Sequence, residues 1–211
     1  MSDGDGKAGQ YARKADRWSD AEYADSRAYL AHRAALVASL GVPLEAGEEV
    51  LDLACGDGGL GEHLLARGLR YRGVDAEPAM VEAARRRLGD GASIELADLN
   101  DYEPPAPVAA TTVFRAIYYA RDRPAFLARA VQFTERKLVF DLNPRQYRVD
   151  DIVAELREAG YSRIELRPFL VPQTRGLPGP TVGLLKCLEH VGPVARLALR
   201  VRFTYIVAAV R

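Results

Sequence analysis

Residues 50–61 of the chain read VLDLACGDGGLG. The apolar residues that open this stretch are typical of a short buried strand, and the glycines place small residues where the strand turns into a helix. Small residues let the backbone approach a ligand closely, and the amides at the start of a helix attract an anion such as a phosphate or a carboxylate. The same glycines also suit a plain tight turn, so this stretch alone leaves both interpretations open.

Two acids end the next two predicted strands. Asp75 closes the strand at 71–74, and an acid at that edge of a sheet can accept hydrogen bonds from both hydroxyls of a ribose. Asp98 follows the strand at 93–96 on the same edge, where its carboxylate can accept a hydrogen from an adenine amino group. Each acid also has a simpler interpretation, Asp75 as a helix cap and Asp98 as a turn residue.

The order of strand and helix repeats along the chain. Apolar runs separated by helical patterns of about 10 to 15 residues predict a parallel sheet with helices on both faces, because each right-handed crossover must bury the apolar side of its helix. We therefore predict a doubly wound, mostly parallel α/β sheet of seven strands, with an antiparallel last strand after a Pro- and Gly-rich excursion. The predicted strands are 49–53, 71–74, 93–96, 108–114, 137–142, 163–169 and 200–210.

Helical spacing of apolar residues fills the gaps between these strands. One entry helix is predicted over 20–40, and Asp122 and Asp150 are predicted to cap two later helices. A further helix is predicted near 182–191. His32 lies in the entry helix and is expected to face solvent, as most isolated histidines do.

The composition fits a single soluble domain of 211 residues, with 48% apolar and 27% charged side chains and a formal charge of zero. Cys55 and Cys187 are too few for a disulfide framework or a four-ligand zinc site, which favours a reducing, cytoplasmic location and predicts no metal. Residues 1–10 lack the apolar centre of a signal peptide, and no run reaches the roughly 18 apolar residues that span a bilayer. We therefore expect no membrane span.

The motifs together resemble motifs one to three of class I S-adenosylmethionine-dependent methyltransferases. The similar residues are VLDLACGDGGLG at 50–61, GVDAEPAM at 73–80 and ADL at 97–99. The late excursion and closing strand resemble the family's reversed sixth and seventh strands, so the similarity extends from Glu48 to Arg211. Ala54 stands where the motif often carries glycine, and alanine is a common variant there.

The resemblance implies S-adenosylmethionine as the cofactor and S-adenosylhomocysteine as its product. In that family the loop that matches Ala54, Gly56 and Gly58 holds the methionine end. The acid that matches Asp75 holds the ribose, and the acid that matches Asp98 holds the adenine. The residues that the resemblance implies for cofactor binding are Tyr11, Asp52, Ala54, Gly56, Gly58, Asp75, Ala76, Asp98, Leu99 and Arg115.

Two other functions stay open at this point. Residues 56–61 also fit the GxGxxG fingerprint of NAD(P)-binding Rossmann oxidoreductases, with Asp75 at a tolerable distance. Asp52 before the loop, Asp98 on the next strand and the short chain favour the methyl donor instead. A non-catalytic protein that binds S-adenosylmethionine without transferring its methyl group would carry the same motifs.

Methyl transfer from a sulfonium is an in-line displacement that mainly requires the nucleophile, methyl group and sulfur to be collinear in a dry pocket. An oxygen or nitrogen nucleophile must also lose a proton. Tyr118 and Tyr119 follow the fourth strand, where the family builds its reaction centre, and Asp141 ends the fifth. These three are the predicted catalytic residues, although aromatic packing and turn capping would also explain them.

We expect one methyltransferase domain in four parts. These are a helical arm over 1–45 that acts as a lid, a cofactor-binding core over 46–170, an insertion on the substrate side over 171–199 and a closing strand over 200–211. Tyr11 belongs to an aromatic and basic cluster in the arm.

The expected acceptor is a small molecule with apolar or acidic character. Residues 161–211 carry eight Lys or Arg against two acids, and the insertion combines leucines with several of these basic residues. No nucleic acid partner is expected, because NPRQ at 143–146 departs from the Asn-Pro-Pro-Tyr type motif of DNA enzymes that methylate amino groups. A peptide acceptor and the oligomeric state stay open.

Overall fold

A computed structural model describes residues 18–143, 145–200 and 204–211. Seven strands in these residues form one sheet. They are β1 (Glu49–Leu53), β2 (Arg70–Asp75), β3 (Ser93–Leu96), β4 (Val108–Val113), β5 (Thr134–Leu142), β6 (Arg163–Pro168) and β7 (Tyr205–Val210). Their order across the sheet is β3-β2-β1-β4-β5-β7-β6.

The strand directions confirm the predicted fold class. β1 pairs in parallel with β2 and β4, and parallel pairing continues outward to β3 and β5. β7 runs antiparallel to both β5 and β6, between which it lies. The chain thus winds outward from β1 in both directions, which is the doubly wound arrangement.

Eight α-helices cover the sheet in the described part of the chain. They are α1 (Trp18–Glu22), α2 (Ser26–Ser39), α3 (Gly59–Leu65), α4 (Pro78–Leu88), α5 (Arg123–Phe133), α6 (Val149–Glu158), α7 (Gly179–Leu188) and α8 (Gly192–Arg200). Short 3₁₀ turns lie at Gly89–Gly91 and Ile117–Tyr119.

Two of these helix predictions need correction, and one is confirmed. The single entry helix is divided in two, because the Asp25 side chain accepts a hydrogen bond from the Ala28 amide and starts a new helix there. Asp122 caps α5 as predicted, by accepting from the Ala125 amide. Asp150 does not cap α6, because α6 begins at Val149 and Arg148 is at the cap position.

The C-terminal end also differs from the prediction. The helix predicted over 182–191 begins at Gly179 instead, with Pro180 in its first turn, where a missing amide costs no hydrogen bond. A second helix, α8, occupies residues up to Arg200, so the closing strand begins at Tyr205 rather than at Arg200. The apolar alternation at the start of the predicted strand falls partly on 201–203, outside the described residues.

Apolar side chains form two layers, one on each face of the sheet. Val50 packs with residues of α2, α3 and α4, such as Val37 and Leu64. Leu51 and Leu53 point to the opposite face and pack with α5 and α6. Since side chains alternate along a strand, Asp52 shares the face of Val50 and is buried there with it.

The prediction that His32 faces solvent is wrong. The His32 ring is buried in α2, with its Nε2 atom 2.7 Å from Oε2 of Glu189, which is also buried. The second oxygen of Glu189 accepts a hydrogen bond from the Leu170 amide at 2.7 Å. Because Glu189 directly follows α7, this buried pair fixes the C-terminal segment against α2.

We predict that Glu189→Ala lowers the free energy of unfolding by about 3 kcal/mol, because it leaves His32 and the Leu170 amide buried without their partner. Urea denaturation measures this change. Glu82→Ala is the matched control, because Glu82 is exposed and pairs with Arg85 one helical turn away, so its loss should cost under about 0.5 kcal/mol. Equal midpoints for the two variants would contradict the structural role of the buried pair.

Candidate functional site

A cavity of about 520 Å³ opens where β1, β2, β3 and β4 end. From β1 the chain continues to β2, which lies on one side of β1, whereas β4 lies on the other side. The loops that follow β1 and β4 therefore diverge and leave a crevice between them. The lining residues include Trp18, Ser19, Tyr23, Leu30, Arg33, Asp52, Ala54, Cys55, Gly56, Asp57, Asp75, Ala76, Glu77, Met80, Ala97, Asp98, Leu99, Asn100, Phe114, Arg115, Ala116, Tyr118, Tyr119 and Arg121.

The turn after β1 forms one wall of the cavity. Ala54, Gly56 and Gly58 all have positive φ angles of 63°, 58° and 76°. Gly58 does not line the cavity, and a Cβ atom there would lie 2.9 Å from the Leu88 side chain. Gly58 therefore permits the turn and its packing on α4, while Ala54 and Gly56 present backbone to the cavity.

Asp52 is a buried carboxylate beneath this turn. Its oxygens accept hydrogen bonds from the Tyr71 hydroxyl at 2.8 Å and from the Thr112 hydroxyl at 2.7 Å. Burial raises the pKa of Asp52 to about 6, while these two hydrogen bonds and the nearby Arg33 oppose the rise. Asp52 thus connects β1 with β2 and β4 and places a titratable group at the cavity floor.

Asp75 connects the ends of β1 and β2. One carboxylate oxygen accepts from the Gly56 amide at 2.8 Å, and the other accepts from the Glu77 amide at 3.0 Å. Burial raises the pKa of Asp75, although the backbone hydrogen bonds counteract this rise. Each oxygen keeps capacity for a further donor, because a carboxylate oxygen has two lone pairs.

Asp98 lies at the end of β3, at the edge of the cavity. It accepts from the amide and the side-chain nitrogen of Asn100 at 2.8 and 2.7 Å, and Arg121 lies 3.2 Å away. The Asn100 amide and then the Asn100 and Arg121 side chains keep the pKa of Asp98 below its usual value. Three acids at the ends of three adjacent strands therefore face the same cavity.

Asp57 is a site residue that the sequence interpretation missed. Its buried carboxylate accepts from the amide and the hydroxyl of Ser19 at 3.0 and 2.5 Å, and from Arg87 at 2.8 Å. These bonds hold α1 against the glycine turn, where Trp18 lies close to Gly56. The only sequence signal for this role is an acid inside a glycine turn. Its partner, Ser19, is 38 residues away in the chain, so no local pattern indicates the contact.

Two arginines form the wall beside β4. Arg33 is buried, and its guanidinium carbon lies 4.4 Å from the centre of the Phe114 ring. Arg115 has a positive φ of 54° and pairs with Glu22 at 3.0 Å. Asp141 accepts from the Arg115 amide at 2.6 Å and from the Arg33 guanidinium at 3.4 Å.

The structure brings most of the predicted site residues together. Asp52, Ala54, Gly56, Asp75, Ala76, Asp98, Leu99, Arg115, Tyr118 and Tyr119 line the cavity. Gly58 and Asp141 do not, and Tyr11 lies outside the described residues. Asp141 instead accepts hydrogen bonds from the Arg115 amide and the Arg33 guanidinium, an arrangement that suits a positioning residue.

Tyr118 and Tyr119 form the outer wall of the cavity. Both side chains are about half exposed, and their ring centres lie 4.4 Å apart. The 3₁₀ turn at Ile117–Tyr119 presents both rings, while Ile117 is buried beneath them. The two hydroxyls therefore belong to the accessible side of the site.

In the described ranges, no group of three or more His, Cys, Asp or Glu side chains is arranged to hold a metal ion. None of the helices described for this chain is long and apolar enough to cross a membrane. Cys55 and Cys187 are free thiols, and burial raises the pKa of Cys55 at the cavity wall.

Comparison with protein families gives one match, which covers most of the residues that line the cavity. The family model described as "Methyltransferase domain" matches residues 50–137. Among curated proteins, trans-aconitate 2-methyltransferase from Methylobacterium nodulans is 43% identical over 68 residues. This match covers 31% of this chain and 26% of that protein, so the chain corresponds to about a quarter of its relative's length.

Solved structures show the same fold over nearly the whole chain. One is a chain from the complex between the Haloferax volcanii Trm112 methyltransferase activator and its methyltransferase partner, with a TM-score of 0.66 at 20% identity, covering 95% of this chain and 97% of that one. A TehB-like S-adenosylmethionine-dependent methyltransferase from Corynebacterium glutamicum has a TM-score of 0.64 at 16% identity, covering 98% and 99%.

The fold and the cavity first define a doubly wound α/β protein with a ligand site at the carboxyl ends of its parallel strands. The matched family and the shared seven-stranded fold then confirm the resemblance predicted from the sequence. Residues 50–137 match a methyltransferase domain model, and the chain has the seven-stranded fold of these solved methyltransferases.

We predict a distinctive pH dependence for Asp52→Asn. A carboxyl group whose pKa is raised in the folded state stabilises the fold fully below its unfolded pKa of about 4, and loses this contribution as the pH rises through about 6. The free energy of unfolding of the variant, relative to the original protein, should therefore increase by about 2.5 kcal/mol between pH 4 and pH 7.5. Urea denaturation across this range measures it.

Asp98→Asn is the control, because the pKa of Asp98 is lowered and its contribution has the opposite sign. That contribution is present at neutral pH and is lost in acid. If the Asp52→Asn variant and the original protein showed parallel pH profiles, the shifted pKa of Asp52 would be excluded.

Proposed function

We propose that this protein is an S-adenosylmethionine-dependent methyltransferase that transfers a methyl group in line to an oxygen or nitrogen atom of a small-molecule acceptor. The observation that carries the proposal is the single cavity faced by Asp52, Asp75 and Asp98 at the ends of three adjacent strands. The methyltransferase family model covers all three acids.

The cavity suits the cofactor in size and in chemistry. Its volume of about 520 Å³ lies within the range of about 300–1,000 Å³ for sites that bind small molecules and cofactors. Asp75 can accept the two ribose hydroxyls, and Asp98 beside Leu99 can accept the adenine amino group. Asp52 is placed to attract the cofactor's ammonium group, because an opposite charge favours the ionised carboxylate.

The bound cofactor would supply an activated methyl group on a positively charged sulfur. The chain's own residues would hold the donor and the acceptor in line and exclude water. Trp18 and Ser19 of α1 lie over the turn at Gly56, so the described end of the arm would close the methionine side of the cavity. This gives the proposed lid a structural basis in residues 18–22.

The acceptor would enter beside Tyr118 and Tyr119. Either phenol hydroxyl would orient the acceptor or relay its proton, since both lie at the accessible wall after β4. The domain division that we propose keeps residues 46–170 as the cofactor-binding core and residues 171–199, which contain α7 and most of α8, as the part facing the acceptor.

We predict that Asp75→Ala weakens S-adenosylhomocysteine binding by about ten- to a hundred-fold, because two charge-assisted hydrogen bonds to the ribose are lost. Isothermal titration calorimetry measures the dissociation constant. Asp90→Ala is the matched control, since Asp90 is an exposed acid in the turn after α4. Failure of the unaltered protein to bind saturating S-adenosylhomocysteine would refute the proposed function.

We predict that Tyr118→Phe or Tyr119→Phe lowers kcat by about a hundredfold, the usual contribution of a group that handles the acceptor's proton, with cofactor affinity within twofold. Transfer of a radiolabelled methyl group to phenols, amines and carboxylates measures the rate. Tyr161→Phe is the control, because the Tyr161 hydroxyl is buried without a hydrogen-bond partner and lies outside the cavity lining. Unchanged rates in both single variants and in the double variant would exclude the two hydroxyls.

A further inference from the structure

Two buried nitrogen atoms in the cavity wall have no hydrogen-bond partner. They are Nε of Arg33 and Nη1 of Arg115, and both residues line the cavity. Arg33 is only 3% exposed, so its guanidinium group is held inside the protein rather than in solvent. A buried donor without an acceptor costs about 1–3 kcal/mol, and more when the group is charged, which points to a ligand that supplies the missing acceptors.

The two guanidinium groups lie beside the same side chain, Tyr23. Arg33 Nη1 donates to the Tyr23 hydroxyl at 3.5 Å, and the guanidinium carbon of Arg115 lies 5.9 Å from the centre of the Tyr23 ring. Asp141 holds the Arg33 side chain and the Arg115 backbone. One oxygen of Asp141 accepts from the Arg115 amide, and the other accepts from the Arg33 guanidinium. The Phe114 and Tyr29 rings flank the Arg33 guanidinium and restrict its movement. Arg115 is held in the left-handed region at φ 54°, a costly conformation for a residue with a Cβ atom and one that often occurs at functional sites.

The chemistry of this pair selects a carboxylate. A carboxylate offers two acceptor oxygens to two unpartnered N–H groups, and hydrogen bonds between guanidinium and carboxylate groups are among the strongest in proteins. The acids Asp75 and Asp98 occupy the walls at the ends of β2 and β3 and would repel a carboxylate there. Asp52, by contrast, lies near Arg33, whose charge opposes the rise that burial causes in the pKa of Asp52. Arg115 also lies between β4 and the turn that carries Tyr118 and Tyr119, where the acceptor would enter.

We propose that Arg33 and Arg115 form a carboxylate site that binds the methyl acceptor, so that the substrates are carboxylic acids. This inference rests on the proposed methyltransferase function. Asp141 acts as a positioning residue for both arginines and does not touch the acceptor.

The test measures carboxylate binding to the protein saturated with S-adenosylhomocysteine. The probes are a panel of aliphatic dicarboxylates and tricarboxylates, including trans-aconitate, and of aromatic monocarboxylates, each paired with its uncharged amide. We expect at least one carboxylate, and not its amide, to bind. Arg33→Gln and Arg115→Gln should each weaken that binding by about tenfold or more, with affinity for S-adenosylhomocysteine within twofold.

Arg33→Lys keeps the buried charge in case Arg33→Gln does not fold, and it should also weaken binding because lysine lacks the fork of donors. Arg123→Gln is the control, since Arg123 pairs with Glu155 outside the cavity lining. The carboxylate site is excluded if no carboxylate binds or if the folded variants bind it normally.

A loss confined to S-adenosylhomocysteine, with 5′-methylthioadenosine bound normally, would assign the arginines to the cofactor's own carboxylate and overturn the acceptor site. If the unaltered protein bound a carboxylate but not S-adenosylhomocysteine, the proposed methyltransferase function would be excluded, whereas a carboxylate site at Arg33 and Arg115 would still be supported.

Discussion

The structure depends on the burial of Asp52 in β1, the strand between β2 and β4. A buried carboxylate is costly unless it is hydrogen-bonded, and Asp52 obtains its two partners from the strands on either side, Tyr71 of β2 and Thr112 of β4. These bonds fix the register of three strands at the point where the cavity opens. Asp75 then accepts from the Gly56 amide, so the turn that follows β1 is held from the neighbouring strand. Hydrogen bonds within the protein thus hold this wall of the cavity in place.

Local sequence patterns were sufficient to predict the seven-stranded sheet and which residues meet at its carboxyl edge. The run at 50–61, together with Asp75 and Asp98, fixes which strand ends must lie together, because parallel strands share one carboxyl edge. The errors arose where distant residues decide the structure. His32 is buried against Glu189, which is 157 residues away in the chain, and the role of Asp57 depends on Ser19.

The helices at the C-terminal end show a different limit of the sequence. Alternating apolar residues after 200 indicate a strand. The segment that precedes them begins with Gly192 and Pro193, which suit the first turn of a helix. Two helical segments fit where one was predicted, and the strand is shorter as a result. Asp141 was predicted to be catalytic from its position at a strand end, yet that position also lets it accept from Arg115 and Arg33, which no sequence pattern indicates.

Charge is unevenly distributed around the cavity, so that its acidic and basic walls suit different ligand groups. Asp52, Asp75 and Asp98 mark the side of β1, β2 and β3, where a ligand rich in hydroxyl and amino donors is stabilised. Arg33 and Arg115 mark the side of β4, where acceptor oxygens are stabilised instead. A positively charged methyl donor on the acidic side and a carboxylate on the basic side would then attract one another across the space between them. Such an arrangement would favour the order of donor and acceptor that in-line transfer requires, because the sulfonium and the acceptor would be held by different walls of the cavity.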